Sequence, residues 1–413
     1  MKKLLIIGQV WPEPTSSAAG TRMIQLIDCF KKLDVEITFA CAASKSDFSF
    51  DLISKGVKEV DIQLNDESFD VFVRELKPEL VVFDRFMIEE QYGWRVSKEC
   101  SNALKILDTE DLHFLRNARQ EASKKGIEFT AELLFSDLAK REIASILRCD
   151  LSLMISKKEI EILQKQFKID ENLLYYLPFL EAEITEEKIK YWKSFEERKH
   201  FMFIGNFIHE PNFNCIQTLK KEIWPILRKK LPKAELHIYG AYATQKVLQL
   251  NNSSERFFIK GRAENAQETM SNYKILLAPI NFGAGVKGKF VDAMQTGTPS
   301  VTTTIGAEAM KNNFAWNGFV EDDFEVFVEK AVLLYNNENE WKIAQQNGIK
   351  ILNENYNKNK FEADFLAAIK SIEENLTLHR NQNFIGQILQ HHTNQSTKYM
   401  SLWIEQKNKN LPK

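Results

Sequence analysis

An alternation of short apolar runs with amphipathic stretches constrains this chain more than any other feature of its sequence. Residues 3–8 (KLLIIG) are apolar and are followed by a Pro/Ser/Gly-rich loop (WPEPTSSAAGTR), an amphipathic stretch (RMIQLIDCFKKL) and a second β-rich run (VEITFACAA). Strand, loop, helix and strand in that order make one βαβ unit. VDIQL, LVVFDRF, ALKILDTED and DLSLMIS continue the series, each ending in polar or charged residues. The pattern pauses over 179–200, which is charged and lacks a strand period. It restarts with FMFIGNF (201–207), AELHIYGA (234–241), RFFIKG (256–261), KILLAPI (274–280) and PSVTTT (299–304), with NFNCIQTLKKEIWPILRKKL among the helical segments between them. Repeated β and α units specify parallel sheets covered on both faces. The expected fold class is α/β, with two doubly wound Rossmann-like domains joined around 180–200. Beyond about residue 322 the chain reads as helical, and the stretch from 379 is polar enough to be loosely held.

A chain of 413 residues is long for one hydrophobic core, which agrees with two domains. The formal net charge of −2 does not favour a nucleic-acid partner. The cysteines at 29, 41, 100, 149 and 215 show no CxxC pair or metal-ligand spacing, which points to free thiols in a reducing compartment. The start, MKKLLIIGQVWPEP, has too short an apolar core for a signal peptide, and no 18-residue apolar run reads as a membrane span. A cytoplasmic location is expected. Weak peripheral contact with the membrane face is the option offered by the basic amphipathic stretch LKKEIWPILRKKLPK, whose plainer reading is an ordinary surface helix. His391 and His392 have no partner cysteines, and no metal site is expected.

Ligands of open parallel sheets bind outside the carboxyl ends of the strands. The polar strand ends here are Gly205 with Asn206, Gly261 with Arg262, Asn281 to Lys289, Asp84 with Arg85, and Asp108 to His113. NFGAGVKGK (281–289) lies between the strand KILLAPI and the helix-like KFVDAMQTG. Its glycines let the backbone approach a ligand, a helix start favours negative charge, and Lys287 and Lys289 add two cations. A phosphate or pyrophosphate is the natural guest. Asp292, one turn further, can accept from ribose hydroxyls. The competing reading is a glycine-rich connection with two solvated lysines. The loop is neither a Walker motif nor a GxGxxG fingerprint.

This loop and the following KFVDAMQTGTPSVTTTIGAEAM resemble the donor-binding segment of GT-B glycosyltransferases, in particular the family 4 group. The match falls on Lys289, Asp292, Ala293, Met294, Gly297 and Pro299. FMFIGNF, AELHIYGA and FIKGRAENAQETMSNYKILLAPI resemble successive units of that family's donor domain. The loop carrying Gly20 resembles its N-terminal glycine loop, so the likeness spans about 1–355. It implies GT-B architecture, with two Rossmann-like domains facing a central cleft: an acceptor-side domain (1–180), a donor-binding domain (181–355), a cross-over helix returning to the first (356–378), and a polar tail (379–413). The implied reaction moves a sugar from a nucleotide-diphosphate sugar to the hydroxyl of a glycan, lipid or small-molecule acceptor, with retention. Neither a metal nor a cofactor beyond the nucleotide sugar is implied.

The residue roles follow the same resemblance. Lys287 and Lys289 would stabilise the departing diphosphate, by the logic of an oxyanion hole. Gly205, Asn206 and Arg262 would border the donor, Arg262 near the base. Many family members carry two glutamates spaced as Glu, seven residues, Glu. Here those positions hold Ala284 and Asp292, so backbone N–H groups of Phe282, Gly283, Ala284 and Gly285 would hold the sugar hydroxyls. On the acceptor side, LDTEDLHFLRNAR supplies Glu110, Asp111, His113 and Arg116. His113 would bond the donor sugar, and Asp111 or Glu110 would orient the acceptor. Arg22, after Gly20, and Arg85 are candidates for phosphate or acceptor contact. His113, Asp111 and Lys289 form the candidate catalytic set. Ala284 also keeps open a catalytically weak partner subunit, and TGTPSVTT resembles nucleotide-sugar epimerases of the same fold as well.

Overall fold

A computed structural model describes residues 2–391, 399, 400 and 403. Two parallel sheets organise the chain. The first holds β1 (Lys2–Gly8), β2 (Val35–Cys41), β3 (Lys58–Asp61), β4 (Leu80–Asp84), β5 (Leu104–Asp108), β6 (Leu151–Met154) and β7 (Leu174–Tyr176), in the order β3-β2-β1-β4-β5-β6-β7. The second holds β8 (Lys199–Ile204), β9 (Leu236–Tyr239), β10 (Phe257–Gly261), β11 (Tyr273–Ala278), β12 (Ser300–Thr302) and β13 (Gly318–Val320), in the order β10-β9-β8-β11-β12-β13. Every pairing between these strands is parallel. The central strands β1, β4, β5 and β11 are buried along most of their length, the signature of sheets covered on both faces. The expected pair of doubly wound domains is what the chain forms.

Strand order reverses between β1 and β4 in one sheet and between β8 and β11 in the other, so a crevice opens at the carboxyl edge of each. These two edges face each other. A Cβ on Gly288, after β11, would lie 2.5 Å from the Cβ of Ala18, after β1. Tyr242, after β9, donates its hydroxyl to Glu13 Oε2 at 2.6 Å.

The two chain crossings between the domains are tied together. Glu181 N–H donates to the Tyr356 carbonyl at 2.7 Å, and Lys358 N–H to the Glu181 carbonyl at 2.9 Å. The helix Lys358–Glu374 then packs on the N-terminal domain, where Phe365 and Ile369 are fully buried and Phe365 lies edge-on to Phe30 at 5.6 Å. Residues 379–391 are firmly seated, contrary to the loose tail read from composition. Arg380 makes a two-pronged contact with Asp150 at 2.7 and 2.8 Å, and Asn383 Nδ2 donates to the Leu147 carbonyl at 2.8 Å. The rest of the polar tail, His392 included, lies outside the described residues apart from 399, 400 and 403.

The helix expected from NFNCIQTLKKEIWPILRKKL runs without interruption from Glu210 to Lys230, as Glu210–Thr218, a π segment over Leu219–Ile223, and Trp224–Lys230. Pro225 lacks an N–H and cannot continue regular α bonding through this point. Leu219, Ile223, Trp224 and Leu227 are all buried in the core of the C-terminal domain. The apolar face proposed for membrane contact is therefore already covered. Among the described residues no helix is long and apolar enough to cross a membrane.

Candidate functional site

The residues that the sequence reading placed on the donor side gather where β8 and β11 end. Asn212, in the first turn of the helix Glu210–Thr218, links them. Its Nδ2 donates to the Asn206 carbonyl at 2.9 Å, its side chain lies against Gly205, and its Oδ1 receives Lys289 Nζ at 2.7 Å. Lys289 also sits over the Phe203 ring, 4.4 Å from its centroid. Lys287 caps the helix Gly288–Gln295, and its ammonium donates to the Gly285 carbonyl at 3.1 Å. Burial pushes both lysines down to about 8, with Lys287 adding to the effect on Lys289 and Glu308 opposing it at Lys287. One turn into that helix, Asp292 accepts from Gln267 Nε2 at 3.0 Å, and burial raises its carboxyl to about 6.

The glycine loop is less open than expected. Phe282 is buried, and Ala284 packs on the core of the opposite domain. Gly285 has φ of +63°, and its N–H donates to Glu159 Oε1 at 2.8 Å. The Gly283 carbonyl receives Arg119 Nη1 at 2.8 Å. At least one backbone group assigned to the sugar, the Gly285 N–H, is thus held by a carboxylate of the N-terminal domain.

On that domain the end of β5 supplies a charged turn. Asp111 pairs with Arg116 and lies 3.5 Å from His113 Nε2; burial opposes its ionisation, yet these neighbours keep it below the usual carboxylate range. Burial lowers His113 to about 4, despite Asp111, so its imidazole is neutral at ordinary pH. The ring stands edge-on to Phe86 at 5.4 Å. The N–H groups of His113 and Phe114 donate to the two oxygens of Glu142 at 3.0 and 2.9 Å, which anchors the helix His113–Lys125 at its start. Glu110 has φ of +60° and one buried oxygen without a hydrogen-bond partner; burial and the neighbouring Asp108 raise its carboxyl to about 8.

Arg85 begins the helix Phe86–Glu99 at φ 74° and ψ 158°, a region almost confined to glycine and costing about 1–3 kcal/mol. Its N–H donates to the Asp108 carbonyl at 2.8 Å and its Nη1 to Gln9 Oε1 at 2.5 Å, so the strained backbone is braced from both neighbouring strands.

Three candidates are placed differently from the sequence reading. Arg22 is closed to solvent, with Nη2 2.9 Å from Asp108 Oδ1 and Nη1 donating to the Leu177 carbonyl at 2.8 Å, so it braces the domain and does not reach the cleft. Gly20 lies in the first turn of the helix Ala18–Phe30, packed on the backbone of Glu13. Arg262 stands at the rim of the interface, 3.8 Å over the Phe48 ring and bonded to Thr15 Oγ1.

Four residues the sequence reading passed over belong to the same region: Arg119, Glu159, Asn212 and His209. His209 is exposed to solvent at the mouth of the interface; desolvation and the charges of Arg116, Lys289 and Arg85 hold its imidazole below the usual range. His209 precedes a Pro-started helix after a strand end, a weak cue that was available. Arg119 and Glu159 occupy ordinary helical positions and carry no local signal. Among the described residues no three His, Cys, Asp or Glu side chains gather as a metal site.

Comparison with known proteins agrees with this layout. Residues 198–337 match the family model described as glycosyl transferases group 1. A Klebsiella pneumoniae protein, described as an uncharacterized 44.6 kDa protein in the cps region, is 23% identical over 291 residues, spanning 67% of this chain and 72% of that one. Among solved structures the chain is similar to S. aureus TarM, captured with fondaparinux, alpha-GlcNAc-glycerol and UDP (TM-score 0.68, 11% identity, 89% of this chain and 99% of that one). It is also similar to the pneumococcal O-GlcNAc transferase GtfA with UDP and GlcNAc (0.67, 13%, 90% and 99%). A third is Anabaena HepE with UDP and glucose (0.63, 13%, 90% and 100%). The shared fold is the GT-B architecture of two Rossmann-like domains.

Proposed function

We propose that this protein transfers a sugar, a hexose in the manner of family 4 enzymes, from a nucleotide-diphosphate sugar to an acceptor hydroxyl with retention. The observation that carries the reading is the convergence of Lys287, Lys289 and the start of the helix Gly288–Gln295 on the interface that His113 and Asp111 approach from the other domain. Negative charge grows on the nucleoside diphosphate as the glycosidic bond breaks, and two half-buried ammonium groups stabilise it where it appears. These lysines supply the countercharge in place of a metal ion. Asp292 receives a ribose hydroxyl. Neutral His113 bonds a donor-sugar hydroxyl, and Asp111, ionised beside Arg116, orients the acceptor with Glu110. Glu110 with its raised carboxyl retains a proton near neutrality and acts as a donor rather than a base.

The match of residues 198–337 to glycosyl transferases group 1 supports the donor assignment. The descriptions of the TarM, GtfA and HepE structures name UDP, which makes UDP the first nucleotide to test. The cps-region relative supports a role in polysaccharide assembly, and a cytoplasmic location belongs to the same reading.

Thermal shifts with UDP, GDP, ADP and CMP, repeated on Lys289→Ala, test the reading. A ligand bound to the folded state raises Tm by mass action. One diphosphate is expected to do so, with the shift lost in the variant; no response to any of the four would refute the donor site. A second reading, a sugar-nucleotide-binding partner of weak activity, is favoured by Ala284 and by the engagement of the Gly285 N–H with Glu159. Diphosphate binding without sugar transfer or hydrolysis would select it.

A further inference from the structure

We infer that Arg119 and Glu159 of the N-terminal domain are positioning residues that set the conformation of the glycine loop of the C-terminal domain, so that this loop is completed only when the domains close. The inference rests on the donor-site reading above.

The loop is gripped on both sides by residues far away in sequence. Arg119 Nη1 donates to the Gly283 carbonyl at 2.8 Å, while Nη1 and Nη2 engage the two oxygens of Glu308 at 2.7 Å each. Glu159 Oε1 receives the Gly285 N–H at 2.8 Å and, on its own domain, the Leu112 N–H at 3.0 Å. Between these grips Ala284 packs on the N-terminal core. A Cβ on Gly285 would lie 2.8 Å from the Cβ of Asp111, so the loop is pressed directly against the catalytic turn.

A glycine-containing loop samples many backbone conformers when unheld. Each must be frozen when substrate binds, and that ordering opposes binding and reaction. Arg119 and Glu159 remove the freedom in advance, but only from across the interface. Opening the cleft breaks both grips and releases the peptide groups of 283–285. The Leu112 N–H contact makes the coupling two-way, because the same carboxylate oxygen fixes the turn that carries Asp111 and His113. Glu159 is almost fully buried and its Oε2 lacks a hydrogen-bond partner. Such a carboxylate is costly to keep for stability alone.

The test uses the full chain as wild type, Arg119→Met, Glu159→Gln and Glu159→Ala. The side chain of Arg119 makes its hydrogen bonds to the C-terminal domain alone among the described residues and on its own domain lies over the Phe129 ring, an apolar contact that methionine can keep, so Arg119→Met leaves the hydrogen bonds within each domain intact. Calorimetry with UDP reads the C-terminal site, turnover reads the assembled one, and small-angle scattering reads domain separation. Arg119→Met and Glu159→Ala are expected to keep UDP affinity within about threefold while kcat falls roughly 10- to 100-fold, the change equivalent to losing a hydrogen bond to a charged group. Their scattering should show a more open molecule. Glu159→Gln retains an acceptor oxygen and should recover most of the turnover. Wild-type kcat and scattering in Arg119→Met would overturn the inference. If wild type binds none of the nucleotides, the donor reading fails, but scattering still decides the grip: a closed wild type and an open Arg119→Met support it, and identical curves sink it.

Discussion

Lys289 and Asn212 meet at the start of the helix Gly288–Gln295, with Lys289 Nζ donating to Asn212 Oδ1 at 2.7 Å above the Phe203 ring. Lysine is a point charge on a flexible stem. Here the amide and the ring hold it on one trajectory, and Asn212 in turn is tied to the Asn206 carbonyl. The charge is therefore positioned before any ligand arrives.

Lys289→Ala should lower kcat about 100- to 1,000-fold, as for other groups that stabilise developing charge. Asn212→Ala leaves the charge in place but loosens it, and its loss of kcat should stay at or below about 100-fold. Steady-state kinetics on both variants checks the order; a larger defect in Asn212→Ala would show that the amide itself contacts substrate.

The lysines also set a pH dependence. Both have pKa values near 8 in the free protein because burial disfavours their charge. A bound diphosphate favours the protonated forms. Below pH of about 7 both are already charged and affinity should be constant. Above about 8 each must take up a proton on binding, so affinity should weaken by up to about tenfold per pH unit for each lysine. Calorimetric titrations across this range test the sign, and affinity that rises with pH would contradict it.

Gly288→Ala probes closure without altering a charged group. The added methyl would lie 2.5 Å from Ala18 Cβ, and neither side chain is long enough to swing aside. The domains must separate or the helix start must shift. Diphosphate affinity should change little while kcat falls by at least about tenfold, since the acceptor-side groups no longer reach the donor. Equal losses in both quantities would place the damage at the helix start instead.

Arg22 and Asp108 predict a stability effect without a direct catalytic one. Arg22→Met leaves Asp108 buried without its cation, and removing one partner of such a pair costs about 3–5 kcal/mol. The double variant Arg22→Met/Asp108→Leu should recover part of that loss. Denaturant unfolding of the N-terminal domain measures both. A single variant as stable as wild type would mean that water or another cation reaches Asp108.

The order of strands and helices, and the residues at strand ends, were readable because they depend on local periodicity. Apolar runs such as KILLAPI became β11, and the turn that follows, with Lys287 and Lys289, lies at the crevice expected from strand order. The three-residue strands β7 and β13 were missed because three residues carry no period, and β12, equally short, was legible only through the β-branched run PSVTTT that contains it. The long helix was legible from its amphipathic pattern, whereas the π segment beside Pro225 was not, because its cause is one missing N–H rather than a change of period. Arg22 looked like a cleft residue because its position after Gly20 says nothing about which way a helical side chain points.

Local periodicity and strand-end chemistry by themselves determined two doubly wound domains and singled out the glycine- and lysine-bearing loop between residues 281 and 289. What that loop touches was decided only by the tertiary structure. Glu159 lies 126 residues before Gly285, and Arg119 lies 164 before Gly283. Each sits on an amphipathic helix whose sequence would look the same if the other domain were absent. Cross-domain hydrogen bonds depend on how two separately folded sheets meet, and no periodicity within either one encodes that meeting.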